Sequence, residues 1–130
     1  MPTITGAHHA ALTVSDLQRS VAWYQDLLGM APVFGDDNEE VSFQLLAHPS
    51  GWFLGLREYH GREKDRFDEF RCGLDHFAFG VPTRQDLDQW VEQLEAKGVT
   101  YSPVNDTPIG SVVTFRDPDN IQLEFWLDAS

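Results

Sequence analysis

Three side chains of this chain have the types and placement to do chemistry. His9 opens the run His9-Ala10-Ala11-Leu12-Thr13-Val14, His76 opens His76-Phe77-Ala78-Phe79-Gly80-Val81, and Glu124 sits inside the run Ile121 to Trp126. Imidazole and carboxylate are the groups that ligate metals and move protons near neutral pH. One such residue in a strand is more often a hydrogen-bonded structural group. The two histidines differ from that case in their matched positions, each five residues ahead of a Val at the head of a strand-like run. Glu124 differs in being a carboxylate in the middle of a terminal strand.

Period-two alternation sorts these runs into faces. Ala10, Leu12 and Val14 form the buried face of the first run, which turns His9, Ala11 and Thr13 the other way. Ile121, Leu123 and Phe125 form the apolar face of the last, with Gln122, Glu124 and Trp126 opposite. Ahead of that last strand, Asp117-Pro118-Asp119-Asn120 has the chemistry of a tight turn, because Pro presets φ and Asx side chains bond back to their own backbone. By phase, His8 points with Leu12 and away from His9, unless the strand begins after it.

The elements that must position these residues follow in order. Ser15 is the expected N-cap of a first helix, with Gln18 able to reach back as in a capping box. Leu17, Val21, Tyr24 and Leu28 recur at helical spacing, and Gly29 supplies the stop. Strands are expected at Ala31 to Phe34, at Val41 to Leu45 and at Trp52 to Arg57, with an acidic turn at Gly35 to Asn38. A charged connector follows, 59–73, expected as an exposed loop or short helix. Then the order restarts: the His76 run, a helix capped by Thr83 with the stripe Leu87, Trp90, Val91 and Leu94, a stop at Gly98, and strands at Val99 to Ser102, Ser111 to Phe115 and Ile121 to Trp126. Both halves read β-α-β-β-β. The offset between them is 67 residues, 76 minus 9, and such self-similarity governs the whole fold. Glu124 lies 48 residues after His76, and 46 residues after His9 stands Gly55. The residue that matches Glu124 in the first half therefore lacks a side chain.

Composition bounds the partners. A chain of 130 residues and 14.8 kDa is one domain with a single real core. A formal net charge of −12 argues against nucleic acid or an anionic membrane, both of which need basic surface. The single cysteine, Cys72, excludes an internal disulfide and a CxxC site, and fits a reducing cytoplasm. It is expected to be structural, since no base partner is implied. The first residues lack the blocks of a signal peptide, and no apolar run is long enough to span a membrane. His48 and His60 fall in turn-like segments and are expected at the surface.

The runs HHAALTVSDLQRSVAWYQDLLGM (from His8), LDHFAFGV (from Leu74) and FRDPDNIQLEF (from Phe115) resemble the vicinal oxygen chelate superfamily, which includes glyoxalase I, bleomycin-resistance proteins, fosfomycin-resistance enzymes and extradiol dioxygenases. The resemblance covers nearly all of the chain except the connector. It implies an α+β fold of two tandem βαβββ modules, 7–58 and 74–128 within one domain 1–130, whose mixed sheets curl around a metal-bearing cleft, commonly in a homodimer. It implies His9, His76 and Glu124 as metal ligands, and Fe, Mn, Ni or Zn as the divalent ion. The position of a further Glu ligand in glyoxalase I matches Gly55, so this chain departs from that four-ligand set.

Two imidazoles and a carboxylate leave positions open for a chelating substrate, and a divalent ion there acts as a Lewis acid on paired oxygens. The implied function is therefore a metal-dependent lyase, isomerase or ring-cleaving dioxygenase acting on a small molecule with vicinal oxygens, in which Glu124 could also accept a proton. Fosfomycin-type thiol transfer is disfavoured, since Arg116 is the only Arg or Lys after Lys97. The alternative is a non-catalytic protein that sequesters a drug, as bleomycin-resistance proteins do. For the substrate wall, Arg57 and Trp126 share the phases of Gly55 and Glu124, and Gln44, Phe53 and Tyr101 are weaker candidates. Trp90 belongs to the helical stripe and is expected in the core.

Overall fold

A computed structural model describes all residues, Met1–Ser130. The chain divides between Lys64 and Asp65 into two units, each with one helix and one open, mixed, four-stranded sheet, an α+β arrangement.

The first unit comprises β1 (His9–Thr13), α1 (Leu17–Leu28), β2 (Ala31–Asp37), β3 (Val41–Ala47) and β4 (Phe53–Tyr59). Its strand order is β1-β4-β3-β2. β1 runs parallel to β4, and the other pairs are antiparallel. A parallel pair needs a crossover, which α1 begins. The N-cap of α1 is Asp16 and not Ser15: Asp16 Oδ1 accepts from the Arg19 amide at 3.1 Å, while Ser15 Oγ accepts from the Arg19 guanidinium at 2.8 Å. The capping group needs extended backbone with its oxygen over the third amide beyond it, and Asp16 meets both conditions (φ −145°). Glu58 of β4 adds a second anion there, accepting from the Leu17 amide at 2.7 Å, and this bond, followed by Lys64, holds its carboxyl below the usual range. The face of α1 carrying Ser20, Tyr24, Leu27 and Leu28 is buried, and the helix packs on β3 and β4. Gly29 ends it in the left-handed region, φ 69°.

β2 runs on through Gly35 to Asp37, so the expected acidic turn there is strand. The reversal falls at Asn38–Glu40, where Asn38 Oδ1 accepts from the amides of Glu40 and Val41. Alternation along an exposed edge strand carries no core signal, so the sequence does not mark where β2 ends.

The second unit comprises β5 (Phe77–Gly80), α2 (Arg84–Ala96), β6 (Asn105–Thr107), β7 (Gly110–Arg116) and β8 (Gln122–Asp128), in the order β5-β8-β7-β6. It repeats the first unit, with β5 parallel to β8. Thr83 caps α2 as expected, accepting from the Asp86 amide. Leu87 and Leu94 are fully buried, and Trp90 stacks on Phe125 of β8 at 4.5 Å. Phe125 stacks in turn on Phe115 at 4.6 Å. Phe115 and Phe125 lie at the centre of this unit's core, while Trp90, expected there, is half-buried and covers them from α2.

The strand expected at Val99 to Ser102 forms only a single bridge, Tyr101 with Phe115, and the paired strand lies later, at Asn105–Thr107. Pro103 has no amide hydrogen for a ladder, and the chain re-enters the sheet beyond it. The Asp117–Asn120 turn forms as expected. The Asn120 amide bonds the Asp117 carbonyl at 3.0 Å, and Asp117 Oδ1 accepts from the amides of Asp119 and Ile121. Asn120 takes the left-handed conformation, φ 68°, which Asn tolerates better than other non-glycine residues. No helix is long and apolar enough to cross a membrane.

Candidate metal centre

Strand register decides which side chains share a face. In the second unit Leu123 and Phe125 are buried on the α2 side, so Gln122, Glu124 and Trp126 stand on the face away from α2. β5 pairs Ala78 with Glu124, and β7 pairs Thr114 with Glu124 and Arg116 with Gln122. His76 lies just before β5, two residues from Ala78, and its contact with Glu124 puts it on the same face. Ala78 offers only a methyl group beside Glu124, which leaves room for the imidazole to lean along the strand. His76 Nε2 comes to 3.3 Å from Glu124 Oε1.

A chain of polar contacts runs from there in both directions. Thr114 Oγ1 donates to Glu124 Oε2 at 3.2 Å. His76 Nδ1 lies 2.7 Å from Asp75 Oδ1. Gln122 Nε2 donates to the same Asp75 oxygen at 3.1 Å and to the Asp75 carbonyl at 3.0 Å. Gln122 Oε1 accepts from Arg116 Nη2 at 3.1 Å, and Arg116 closes a two-pronged pair with Glu69, both contacts 3.0 Å. The Arg116 guanidinium holds the Glu69 carboxyl down at about 2.

Asp75, Gln122, Thr114 and Glu69 were not singled out from the sequence. Asp75 was hidden because neighbours along a strand point to opposite faces, yet it precedes the strand and alternation does not bind it. Gln122 carried a signal, since it shares the phase of Glu124.

In the first unit the same logic puts His9, Ala11 and Thr13 on one face with Phe53, Gly55 and Arg57. His9 is exposed, and its Nδ1 lies 2.8 Å from His8 Nδ1. His8 lies outside β1, so it escapes the alternation that would have turned it away. The Arg57 guanidinium sits over the rings of Phe43 (5.1 Å) and Tyr59 (5.7 Å), and its Nε donates to the Tyr59 hydroxyl. Phe53 pairs directly with His9 and is 36% exposed.

Two candidates for the substrate wall stand elsewhere. Gln44 pairs with the fully buried Leu56 and so lies on the α1 side, donating to the carbonyls of Phe34 and Leu45. It borders an open groove of about 430 Å³ beside Asp16, Asp36 and Glu58. Tyr101 bridges to the buried Phe115 and donates its hydroxyl to Glu95 of α2, which raises its pKa. The unbroken β3–β4 register sets Gln44 opposite Leu56, and Tyr101 meets the sheet through a single bridge. Trp126 keeps the face of Glu124, its Nε1 donating to Asp128. His48 stacks on Trp52, His60 bonds Ser42, and Cys72 is exposed.

Within either unit no three His, Cys, Asp or Glu side chains gather as a ready-made metal cage. The pair in the second unit nonetheless suits a cation. Asp75 and Glu124, as carboxylates, only accept hydrogen bonds, and they flank the two nitrogens of one imidazole. A neutral ring has one N–H and can satisfy only one of them. With that proton toward Asp75, a bare Nε2 and a carboxylate oxygen converge at 3.3 Å, an arrangement that a positive ion between or beside them would stabilise. Imidazole with carboxylate is a donor set suited to Fe, Mn, Ni and Zn.

The comparisons with known proteins agree with this architecture. The chain is 38% identical to a glyoxylase/bleomycin resistance protein/dioxygenase domain from Frankia sp. EAN1pec, whose crystal structure superposes with a TM-score of 0.91 over 98% of this chain and 95% of that one. It is 30% identical to the lactoylglutathione lyase of Haemophilus influenzae over 90% of this chain and 88% of that protein. It is 28% identical to the manganese-dependent 2,3-dihydroxybiphenyl 1,2-dioxygenase of Geobacillus genomosp. 3 over 92% of this chain, which spans 36% of that protein. Residues 6–125 match the family model of the same fold, and the chain belongs to the Glyoxalase/Bleomycin resistance protein/Dioxygenase superfamily.

Proposed function

We propose that this protein is a divalent-metal-dependent enzyme acting on a small substrate that chelates through two neighbouring oxygens, with His9, His76 and Glu124 as the metal ligands. The observation that carries the reading is the 3.3 Å approach of His76 Nε2 to Glu124 Oε1, with Asp75 on the opposite ring nitrogen. His9 enters through its matching place: it heads β1 as His76 precedes β5, and with His9 Nδ1 as donor to His8 its Nε2 is left bare. The His9 of the same chain or of a second copy would complete the set, in keeping with a homodimer. A divalent ion, of which Mn is named for one relative and Fe, Ni and Zn suit the same donors, would polarise the substrate oxygens and hold the charge that develops on them.

This chain's own residues then divide the remaining work. Thr114 donates to Glu124 Oε2 and fixes the carboxylate, leaving Oε1 for the ligand role or for accepting a substrate proton. Trp126 and Phe53 supply apolar wall on the faces of Glu124 and His9, and Arg57, held over Phe43 and Tyr59, offers a cation to an anionic substrate group. Chemistry of the lyase or isomerase type and ring cleavage both use such a site. Gly55, in place of a further carboxylate, weighs against a four-ligand glyoxalase I centre. Drug sequestration without chemistry does not account for the convergent donors. The exposed Cys72 is free, as suits a reducing cytoplasm.

The test is metal analysis of the purified protein, then titration of stripped wild type and Glu124→Ala with Fe(II), Mn(II), Ni(II) and Zn(II). Stoichiometric uptake by wild type alone supports the site, and equal uptake by both proteins removes it. A screen against catechols and methylglyoxal–thiol adducts then separates ring cleavage from isomerisation.

A further inference from the structure

The nitrogen that His76 turns toward Glu124 can ligate a metal only if it carries no proton. Nothing in an isolated histidine ensures this, since the free side chain in water prefers its proton on Nε2. The surroundings of His76 reverse that preference. Asp75 Oδ1 lies 2.7 Å from Nδ1, and an ionised carboxylate has no proton to give, so Nδ1 must be the donor. The same Asp75 oxygen is held by a second donor. Gln122 Nε2 donates to Asp75 Oδ1 and to the Asp75 carbonyl, and Gln122 is oriented by Arg116, whose guanidinium is itself braced by Glu69. With Arg116 donating to its Oε1, the Gln122 amide cannot flip without losing bonds at both ends.

We infer that Asp75 is a positioning residue: it keeps the proton of His76 on Nδ1 and so presents Nε2 bare on the face of Glu124, with Gln122, Arg116 and Glu69 as the brace that orients Asp75. A carboxylate behind a ligating imidazole also raises its basicity, and loss of such a partner lowers metal affinity about 10–100-fold. The inference rests on the proposed metal site for its purpose, but the position of the proton is a property of the metal-free protein.

Nitrogen-15 ring correlation spectra of the EDTA-treated protein, at alkaline pH where imidazoles are neutral, show which nitrogen of His76 is protonated; the ring is identified by its loss in His76→Asn. The expected result is a proton on Nδ1 in wild type and in Asp75→Asn, which keeps an acceptor oxygen, and on Nε2 in Asp75→Ala. Calorimetric titration with Mn(II) is expected to weaken about 10–100-fold in Asp75→Ala and less in Asp75→Asn. A wild-type proton on Nε2, or an unchanged proton position in Asp75→Ala, overturns the inference. The wild-type spectrum decides by itself if Asp75→Ala does not fold. Failure of the metal reading would show instead as absent Mn(II) uptake by wild type, whatever the proton position.

Discussion

Glu124 and Gly55 occupy the same register position in their two sheets. Glu124 is paired with Ala78 on the parallel neighbour strand, Gly55 is paired with Ala11, and Ala78 and Ala11 are 67 residues apart, the same offset as His76 and His9. A Cβ at Gly55 would stand 3.3 Å from Ala11 Cβ, so that β1 must give by a few tenths of an ångström, and at an ordinary 3.7 Å from the Ala10 carbonyl. Gly55→Glu is therefore expected to fold at a cost of about 1 kcal/mol in a urea melt. Its added carboxylate should tighten Ni(II) or Zn(II) binding; weaker binding with the fold intact would place Gly55 away from the metal.

Glu124→Gln keeps the shape of the side chain and its contact with Thr114 but loses the negative charge. At a metal concentration about 100 times its Kd, wild type should gain about 2.7 kcal/mol of stability from binding. The variant should gain almost none. Its metal-free stability should fall by no more than about 1 kcal/mol, since the ring it faces is partly exposed. Thermal melts with and without Mn(II) read both quantities.

The Arg116–Glu69 pair sets an acid limit. The pKa of Glu69 in the folded state is lowered from 4.5 to about 2, so the pair contributes its stability above the unfolded value and loses it as pH falls through the folded one. Wild type should therefore exceed Glu69→Gln in stability near neutral pH, and the difference should shrink between about pH 4.5 and pH 2. Paired urea melts across that range check the sign; a difference that grows on acidification would contradict the pairing.

Asn120 serves both backbone and tether. Its φ of 68° suits glycine, and its side-chain amide donates to the Phe67 carbonyl at 3.0 Å. Asn120→Ala loses both features and should cost about 1–2 kcal/mol from the left-handed backbone, beyond the tether. Asn120→Gly keeps the backbone and loses only the tether, about 1 kcal/mol. Hydrogen exchange at the Phe67 amide, which bonds the Asp119 carbonyl, should rise in both variants.

Phe125 is 1% exposed and stacked between Trp90 and Phe115. Phe125→Ala should cost about 3–5 kcal/mol and alter Trp90 fluorescence. Trp126→Ala, on the opposite face, should cost far less.

The sequence by itself determined the double βαβββ order, because the repeat, the Gly29 and Gly98 stops, the Thr83 cap and the Asp117–Asn120 turn are local signals whose physics acts over a few residues. It also determined the faces of the first and last strands, since Leu12, Leu123 and Phe125 must leave water. Elements with weak local signals were not legible in the sequence. The exposed β2 has no buried face to mark its end, and Pro103 displaced the pairing of β6 to Asn105–Thr107. What stands across from what was decided only by tertiary structure. Parallel pairing over 46 residues, 124 minus 78, sets Ala78 beside Glu124 and so lets His76 reach it. Register also took Gln44 and Tyr101 to the helix sides. The brace from Glu69 through Arg116 and Gln122 to Asp75 joins residues 47 apart at two of its links, 69 to 116 and 75 to 122. Hydrogen bonds depend on separations of about 3 Å between particular atoms, and for distant residues only the folded register brings those atoms together.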